Sequence, residues 1–150
     1  MKALMICLGN ICRSPMAEGI VRQKALERGV YIELDSCGTS GFHNGEPADS
    51  RAISILHKKG IDITNLKSRK FKISDFDEFD ELFVMDKSNY EDIISLAPND
   101  TCKSKVKLFL NESDPNKNDE VPDPYYGGEK GFENVYNLLS AAAENFLNRI

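Results

Sequence analysis

No run of apolar residues in this sequence approaches twenty, and the N-terminus lacks a charged stretch followed by an apolar one. A membrane-spanning helix and the standard export leader are both unexpected. Basic residues are not in excess either: the net charge is −5 and the pI near 5.1. A nucleic-acid binder normally presents a basic face, so that class is disfavoured. The four cysteines, Cys7, Cys12, Cys37 and Cys102, follow no zinc-binding spacing. Repeats, low-complexity tracts and linkers are also missing. What is left is a chain of 150 residues, long enough for one domain with a full core and short for two. The expectation is a single domain over 1–150, soluble and cytoplasmic, with no nucleic-acid or membrane partner, in a compartment that keeps thiols reduced.

One stretch stands out. The apolar run Ala3-Leu4-Met5-Ile6 leads into Cys7-Leu8-Gly9-Asn10-Ile11-Cys12-Arg13-Ser14-Pro15, and a helical pattern begins at Met16-Ala17-Glu18. A strand enters a tight loop and the loop opens a helix. The first N–H groups of a helix have no internal partner and sit at the positive end of its dipole, so a loop wrapped there cradles an anion. Gly9 and Asn10 tolerate unusual backbone angles, and Pro15 suits the first helical turn. Backbone N–H groups across Leu8, Gly9, Asn10, Ile11, Cys12, Arg13 and Ser14 are the expected anion donors.

Two side chains turn the cradle into a reaction centre. Cys7 lies at the strand's end, where the loop dipoles and Arg13 favour the thiolate, the nucleophilic form. The planar fork of Arg13 matches two oxygens of a tetrahedral oxyanion better than a lysine point charge does. Ser14 offers a hydroxyl to the sulfur, which improves it as a leaving group. Cysteine, five intervening residues, then Arg-Ser reads as phosphoryl transfer through a cysteinyl-phosphate. An isolated cysteine after an apolar strand would more simply be core filling; the concurrence of Gly-Asn, Arg, Ser and Pro tips the balance.

The remaining pattern alternates strands and helices. Strands are expected over 2–7, 31–36, 79–85 and 105–110, with helices over 15–28, from Pro47 to Gly60, over 87–97 and over about 132–147; residues 61–73 read as loop and short turns. This gives an α/β, doubly wound, three-layer sandwich whose strand order periodicity leaves open. The polar stretch from Asn111 to Gly128 is long enough to expect function in it. It holds two Asp-Pro pairs, Asp114-Pro115 and Asp123-Pro124. Asp123, stiffened between Pro122 and Pro124, is the better proton donor for a leaving group.

The loop from Cys7 to Pro15, the Met16-Ala17-Glu18 that follows it and the Asp123-Pro124-Tyr125-Tyr126 segment before the last helix resemble the low-molecular-weight protein tyrosine phosphatases. The resemblance covers nearly the whole chain. It implies a four-stranded parallel sheet of flavodoxin-like topology, and metal- and cofactor-independent hydrolysis of phosphotyrosine in a protein or peptide by a monomer or weak dimer. It also implies Asp123 as general acid, Tyr125 and Tyr126 as one wall beside the substrate ring and Phe42 as the other. Many members carry Trp at the Phe42 position, so a somewhat more open pocket is expected. Asn10 and Ser36 resemble residues that brace the loop, and Arg69 matches a recurring position. Asn65 stands where many members have His and receives no role, and His43 and His57 are expected to be exposed and structural. Ile11 matches the phosphotyrosine enzymes, whereas relatives acting on phosphoarginine carry Thr. Thioredoxin-coupled arsenate reductases share the fold and a similar loop, but need two further cysteines that are missing between Cys37 and Cys102. A non-catalytic phosphate-binding module would have no need of Asp123. Cys12 is either a small apolar filler or a thiol that captures oxidised Cys7.

Overall fold

The computed structural model describes residues 1–150. Its centre is a four-stranded, all-parallel sheet of order β2-β1-β3-β4, formed by β1 (Lys2–Cys7), β2 (Glu33–Gly38), β3 (Glu81–Val84) and β4 (Val106–Leu108). Around it lie α1 (Arg13–Arg28), α2 (Ser50–Lys58), α3 (Asp75–Glu78), α4 (Lys87–Leu96), α5 (Asp100–Ser104) and α6 (Gly128–Asn148), with a 3-10 turn at Phe109–Glu112.

Strand alternation sorts the side chains into two cores. Ala3, Met5 and Cys7 of β1, with Phe83 of β3, face α1, α2 and α6, where Met16, Ile20, Leu56, Leu139 and Phe146 are buried. Leu4 and Ile6, with Leu82 and Val84, face the other way onto Phe76, Ile93 and Cys102 of α3, α4 and α5. Each buried leucine, isoleucine, valine, methionine or phenylalanine among them contributes about 1.5–3 kcal/mol. The two cores require both faces of the strands to be apolar, which is why the strands read as unbroken hydrophobic runs.

Element edges differ from the sequence reading for local reasons. Helix α1 starts at Arg13 instead of Pro15, because the Cys12 carbonyl already accepts from Met16 N–H at 3.2 Å. Strand β2 sits two residues later than expected, since its register follows β1 from Lys2–Glu33 to Cys7–Gly38. Helix α2 begins at Ser50, where the Asp49 carboxylate accepts from Arg51 N–H at 2.8 Å. Strand β4 stops at Leu108; the buried Phe109 and Leu110 that seemed to prolong it belong to the 3-10 turn. Helix α6 starts at Gly128, four residues before Phe132. The short helices α3 and α5 escape an apolar-periodicity reading because they span too few turns. No helix is long and apolar enough to cross a membrane.

The topology decides where a ligand can sit. The connection leaving β1 runs to β2 on one side and the one leaving its neighbour β3 runs to β4 on the other, so the two diverge and open a crevice at the carboxyl ends of β1 and β3. Cys7 ends β1 in that crevice.

Candidate active site

The loop from Leu8 to Cys12 is held by its flanks. Asn10 adopts φ +56°, a left-handed conformation that asparagine tolerates better than most residues. Gly9 keeps an ordinary φ, so the conformational role expected for it is not used; a Cβ there would lie 3.1 Å from His43 Cδ2, close enough that the imidazole would have to shift slightly. On the adjacent strand a Cβ at Gly38 would lie 2.6 Å from the Leu8 carbonyl oxygen, so the loop's path depends on a bare backbone beside it. Ser68 Oγ donates to Gly9 O at 3.1 Å, and the Arg69 amide donates to Asn10 Oδ1 at 3.1 Å. Arg69 in turn bonds Asp35 at 3.0 Å and Asp75 through two nitrogens at 3.0 and 3.1 Å. Burial opposes the Arg69 charge, but Asp75 and Asp35 outweigh it and hold the guanidinium's pKa above its ordinary value.

With the loop so fixed, the amides of Leu8, Gly9, Ile11 and Cys12 have no acceptor within the protein. No side chain caps α1, whose first N–H groups add to the same set. The Asn10 amide donates to Cys7 Sγ at 3.2 Å, and Ser14 Oγ lies 3.0 Å from the same sulfur. Asn10 and Ser14 are buried beneath the loop instead of lining its cavity: Asn10 Nδ2 donates to Ser14 Oγ at 2.7 Å and to Ser36 Oγ at 3.0 Å.

Arg13 is 3% exposed, and its Nη1 donates to Asp86 Oδ2 at 2.6 Å and to the Val121 carbonyl at 3.0 Å. Burial disfavours its charge, yet Cys7, Asp86 and Asp123 together raise its pKa above the ordinary arginine value. The second terminal nitrogen lies 3.9 Å from Asp123 Oδ2. The Asp123 carboxylate also accepts from the Tyr125 amide at 3.0 Å.

A cavity of about 280 Å³ opens over the sulfur. Cys7, Gly9, Cys12 and Arg13 lie in it with Leu8, Ile11, Phe42, His43, Asp123, Tyr125 and Tyr126. Two of its aromatic members stand far out of the protein, Phe42 at 84% and Tyr126 at 95%, and Tyr125 packs edge-on against Tyr126 at 5.0 Å. His43 corrects the sequence reading: it is half-buried, lines the cavity, packs edge-on against Phe42 and bonds Glu46 through Nδ1 at 2.5 Å. A larger cavity of about 580 Å³ lies beside β4 and is lined by no cysteine.

A nucleophilic sulfur, free amides around it, a fixed guanidinium and a carboxylate opposite form a set suited to a phosphate monoester. The family model for low molecular weight phosphotyrosine protein phosphatase matches residues 2–150. The chain belongs to that family. A phosphotyrosine protein phosphatase of this family from Schizosaccharomyces pombe is 41% identical over 152 residues, covering 99% of this chain and 96% of that one. The crystal structure of a protein tyrosine phosphatase from Entamoeba histolytica, with Hepes in its active site, superposes with a TM-score of 0.93 at 39% identity, covering 99% of this chain and 96% of that one. A solved structure described as a Drosophila arginine phosphatase superposes with a TM-score of 0.90 at 32% identity, covering 99% and 97%. As a low-molecular-weight protein tyrosine phosphatase, the chain is a hydrolase with the parallel sheet of its family.

Sequence reasoning missed two groups of this phosphatase's site. Asp86 pairs with Arg13 and also caps α4, accepting from Asn89 N–H at 2.8 Å. Its signal was available: it follows the third strand by two residues, on the edge where such sheets bind ligands. The Val121 carbonyl left no signal, because any residue supplies one.

Proposed function

We propose that this phosphatase hydrolyses protein phosphotyrosine in two steps, without a metal, through a cysteinyl-phosphate, with residues 1–150 acting as one phosphatase domain. The observation that carries this reading is the convergence on one sulfur: Ser14 Oγ lies 3.0 Å from Cys7 Sγ, beside an Arg13 that also lies 3.9 Å from Asp123. Cys7 attacks phosphorus as the thiolate. The free loop amides and Arg13 hold the three non-bridging oxygens as charge spreads over them. Asp123, as the carboxylic acid, gives its proton to the departing tyrosine oxygen, so the leaving group departs as a neutral phenol. In the second step Asp123, now ionised, takes a proton from water, the water oxygen bonds phosphorus and the sulfur–phosphorus bond breaks. The Ser14 hydroxyl stabilises the sulfur anion as it leaves.

The four cysteines are all free thiols, which supports a reducing, cytoplasmic setting for a thiolate enzyme. Phosphate release from a panel of phosphopeptides, with Cys7→Ser as control, tests the reading: phosphotyrosine peptides are turned over and the variant releases nothing. Release by Cys7→Ser at the unmodified rate would exclude Cys7 as nucleophile.

A second substrate, phosphoarginine, is raised by the arginine phosphatase that shares the fold. Ile11 and the aromatic lining of the cavity support phosphotyrosine, because they offer apolar surface to a flat ring.

A further inference from the structure

Arg51 lies outside the phosphate cradle, yet it connects the cradle to the cavity's aromatic side. Two residues before it, Asp49 donates its amide to the Ile11 carbonyl of the loop at 2.8 Å. The Asp49 carboxylate then takes the Arg51 fork at two points, Nε to Oδ1 at 3.1 Å and Nη2 to Oδ2 at 3.0 Å. Held along its edge in this way, the guanidinium also lies over two aromatic rings: its central carbon is 5.3 Å from the centre of Tyr125 and 4.8 Å from that of Phe132. Phe132 is buried in α6, so one ring is fixed and the other, Tyr125, is half-exposed on the loop. Tyr125's other ring contact is Tyr126, itself almost wholly exposed and unable to hold it.

We propose that Arg51 is a positioning residue that sets the Tyr125 wall and, through the Tyr125 amide bonded to Asp123 Oδ1, the aim of the Asp123 carboxylate. The inference rests on the roles given above to Tyr125 and Asp123. Arginine suits the task because a planar fork can be held by a carboxylate along its edge and still stack on its face. A lysine ammonium offers a point charge without that geometry. The chain Ile11–Asp49–Arg51–Tyr125 thereby fixes the distance between the phosphate cradle and the surface that meets the substrate ring.

The test compares Arg51→Met and Arg51→Lys with the unmodified enzyme, using phenyl phosphate, p-nitrophenyl phosphate and inhibition by orthovanadate. Loss of two cation–π contacts should raise KM for both aryl substrates about 5- to 20-fold. The kcat for phenyl phosphate, whose leaving group needs a proton, should fall more than that for p-nitrophenyl phosphate. Orthovanadate inhibition should not change, since it reads the cradle alone. Lys130→Gln, which removes one positive charge from the neighbouring groove without touching Tyr125, should leave all values unaltered. Unchanged KM and leaving-group dependence in both Arg51 variants would overturn the proposal, and so would a matching loss of orthovanadate affinity, which would mark Arg51 as a support of the cradle. If the unmodified protein hydrolyses no aryl phosphate, the functional reading fails instead. The fluorine resonance of Tyr125 in fluorotyrosine-labelled protein then decides: a shift toward the solvent-exposed value in Arg51→Met supports the clamp, and an unmoved resonance overturns it.

Discussion

Asn10 donates to the Ser14 hydroxyl oxygen and so turns the Ser14 proton away from itself. The Asn10 Oδ1 accepts from the Arg69 amide, so the side chain's NH₂ must face Ser14, donating to its oxygen at 2.7 Å. Ser14 Oγ, already an acceptor, has its own proton between Cys7 Sγ at 3.0 Å and the Cys37 carbonyl at 3.4 Å, and toward a thiolate, which can only accept, it is Ser14 that donates.

Ser14→Ala should therefore weaken the sulfur both as an anion and as a leaving group. A hydrogen bond to a charged group contributes about 1.5–3 kcal/mol, which corresponds to roughly a 10- to 100-fold loss in kcat. Cys7 alkylation by iodoacetate at fixed pH should slow as well. A variant with unchanged alkylation and turnover would remove Ser14 from this role.

Asp123→Asn should slow phosphate release from a phosphotyrosine peptide by about 10²–10⁴-fold. The loss should be smaller with an activated aryl phosphate, whose leaving group departs without a proton. Steady-state kinetics on the two substrates make the comparison, and equal losses would exclude Asp123 as the acid. Asp114, exposed and paired only with Lys117, should tolerate the same change.

Burial first, and then the nearby Asp49 and Cys7, push the Cys12 thiol up to about 12. At neutral pH Cys12 stays a thiol, and peroxide should meet Cys7 first. The resulting Cys7 sulfenic acid can condense with the Cys12 thiol in the same loop, losing water and forming a disulfide. Mass spectrometry after mild peroxide treatment should find the Cys7–Cys12 bridge, and Cys12→Ser should lose recovery by added thiol. Full recovery in that variant would argue against the protective role.

Ile11 lines the cavity with Phe42 and Tyr125. Its branched apolar surface should favour a flat ring over a guanidinium by about 1–3 kcal/mol. Phosphotyrosine peptides should be hydrolysed well ahead of phosphoarginine ones, with phosphoserine poorest because its short stem leaves phosphorus short of Cys7. Ile11→Thr should move the ratio toward phosphoarginine in competition assays. A preference for phosphoarginine in the unmodified protein would overturn the substrate class and leave the cysteine chemistry standing.

The sheet and the loop were legible for different reasons. Unbroken apolar runs such as Ala3–Ile6 and Leu82–Met85 mark strands buried on both faces, and Cys7, Arg13 and Ser14 stand in one short segment, so their proximity is nearly local. Asp123 needed the stiffening prolines and the family resemblance to be preferred over Asp114. The partners of Arg13 and Tyr125 were hidden: Asp86 lies 73 residues from Arg13, and which carboxylate meets a buried guanidinium is decided by packing. Arg51 reads as an ordinary helix-start residue until Phe132 and Tyr125 are folded onto it. His43 was misjudged because a polar residue in a glycine-rich loop gives no sign that Gly9 will leave room for it.

The bare α-carbon of Gly38 beside the Leu8 carbonyl has an effect on turnover. Because the loop is shaped by its neighbours during folding, with Asn10 and Gly9 tied from behind, the cradle is already complete when a ligand arrives. A finished tetrahedral receptor responds to the dianion and hardly at all to what is attached to it. On the mechanism proposed, inorganic phosphate, the final product, should fit it as well as the head of the substrate does. Product inhibition should then be a property of the backbone path itself, competitive with substrate. Side-chain changes around the rim could alter which esters enter, but could not separate the binding of phosphate from the architecture that makes the reaction possible.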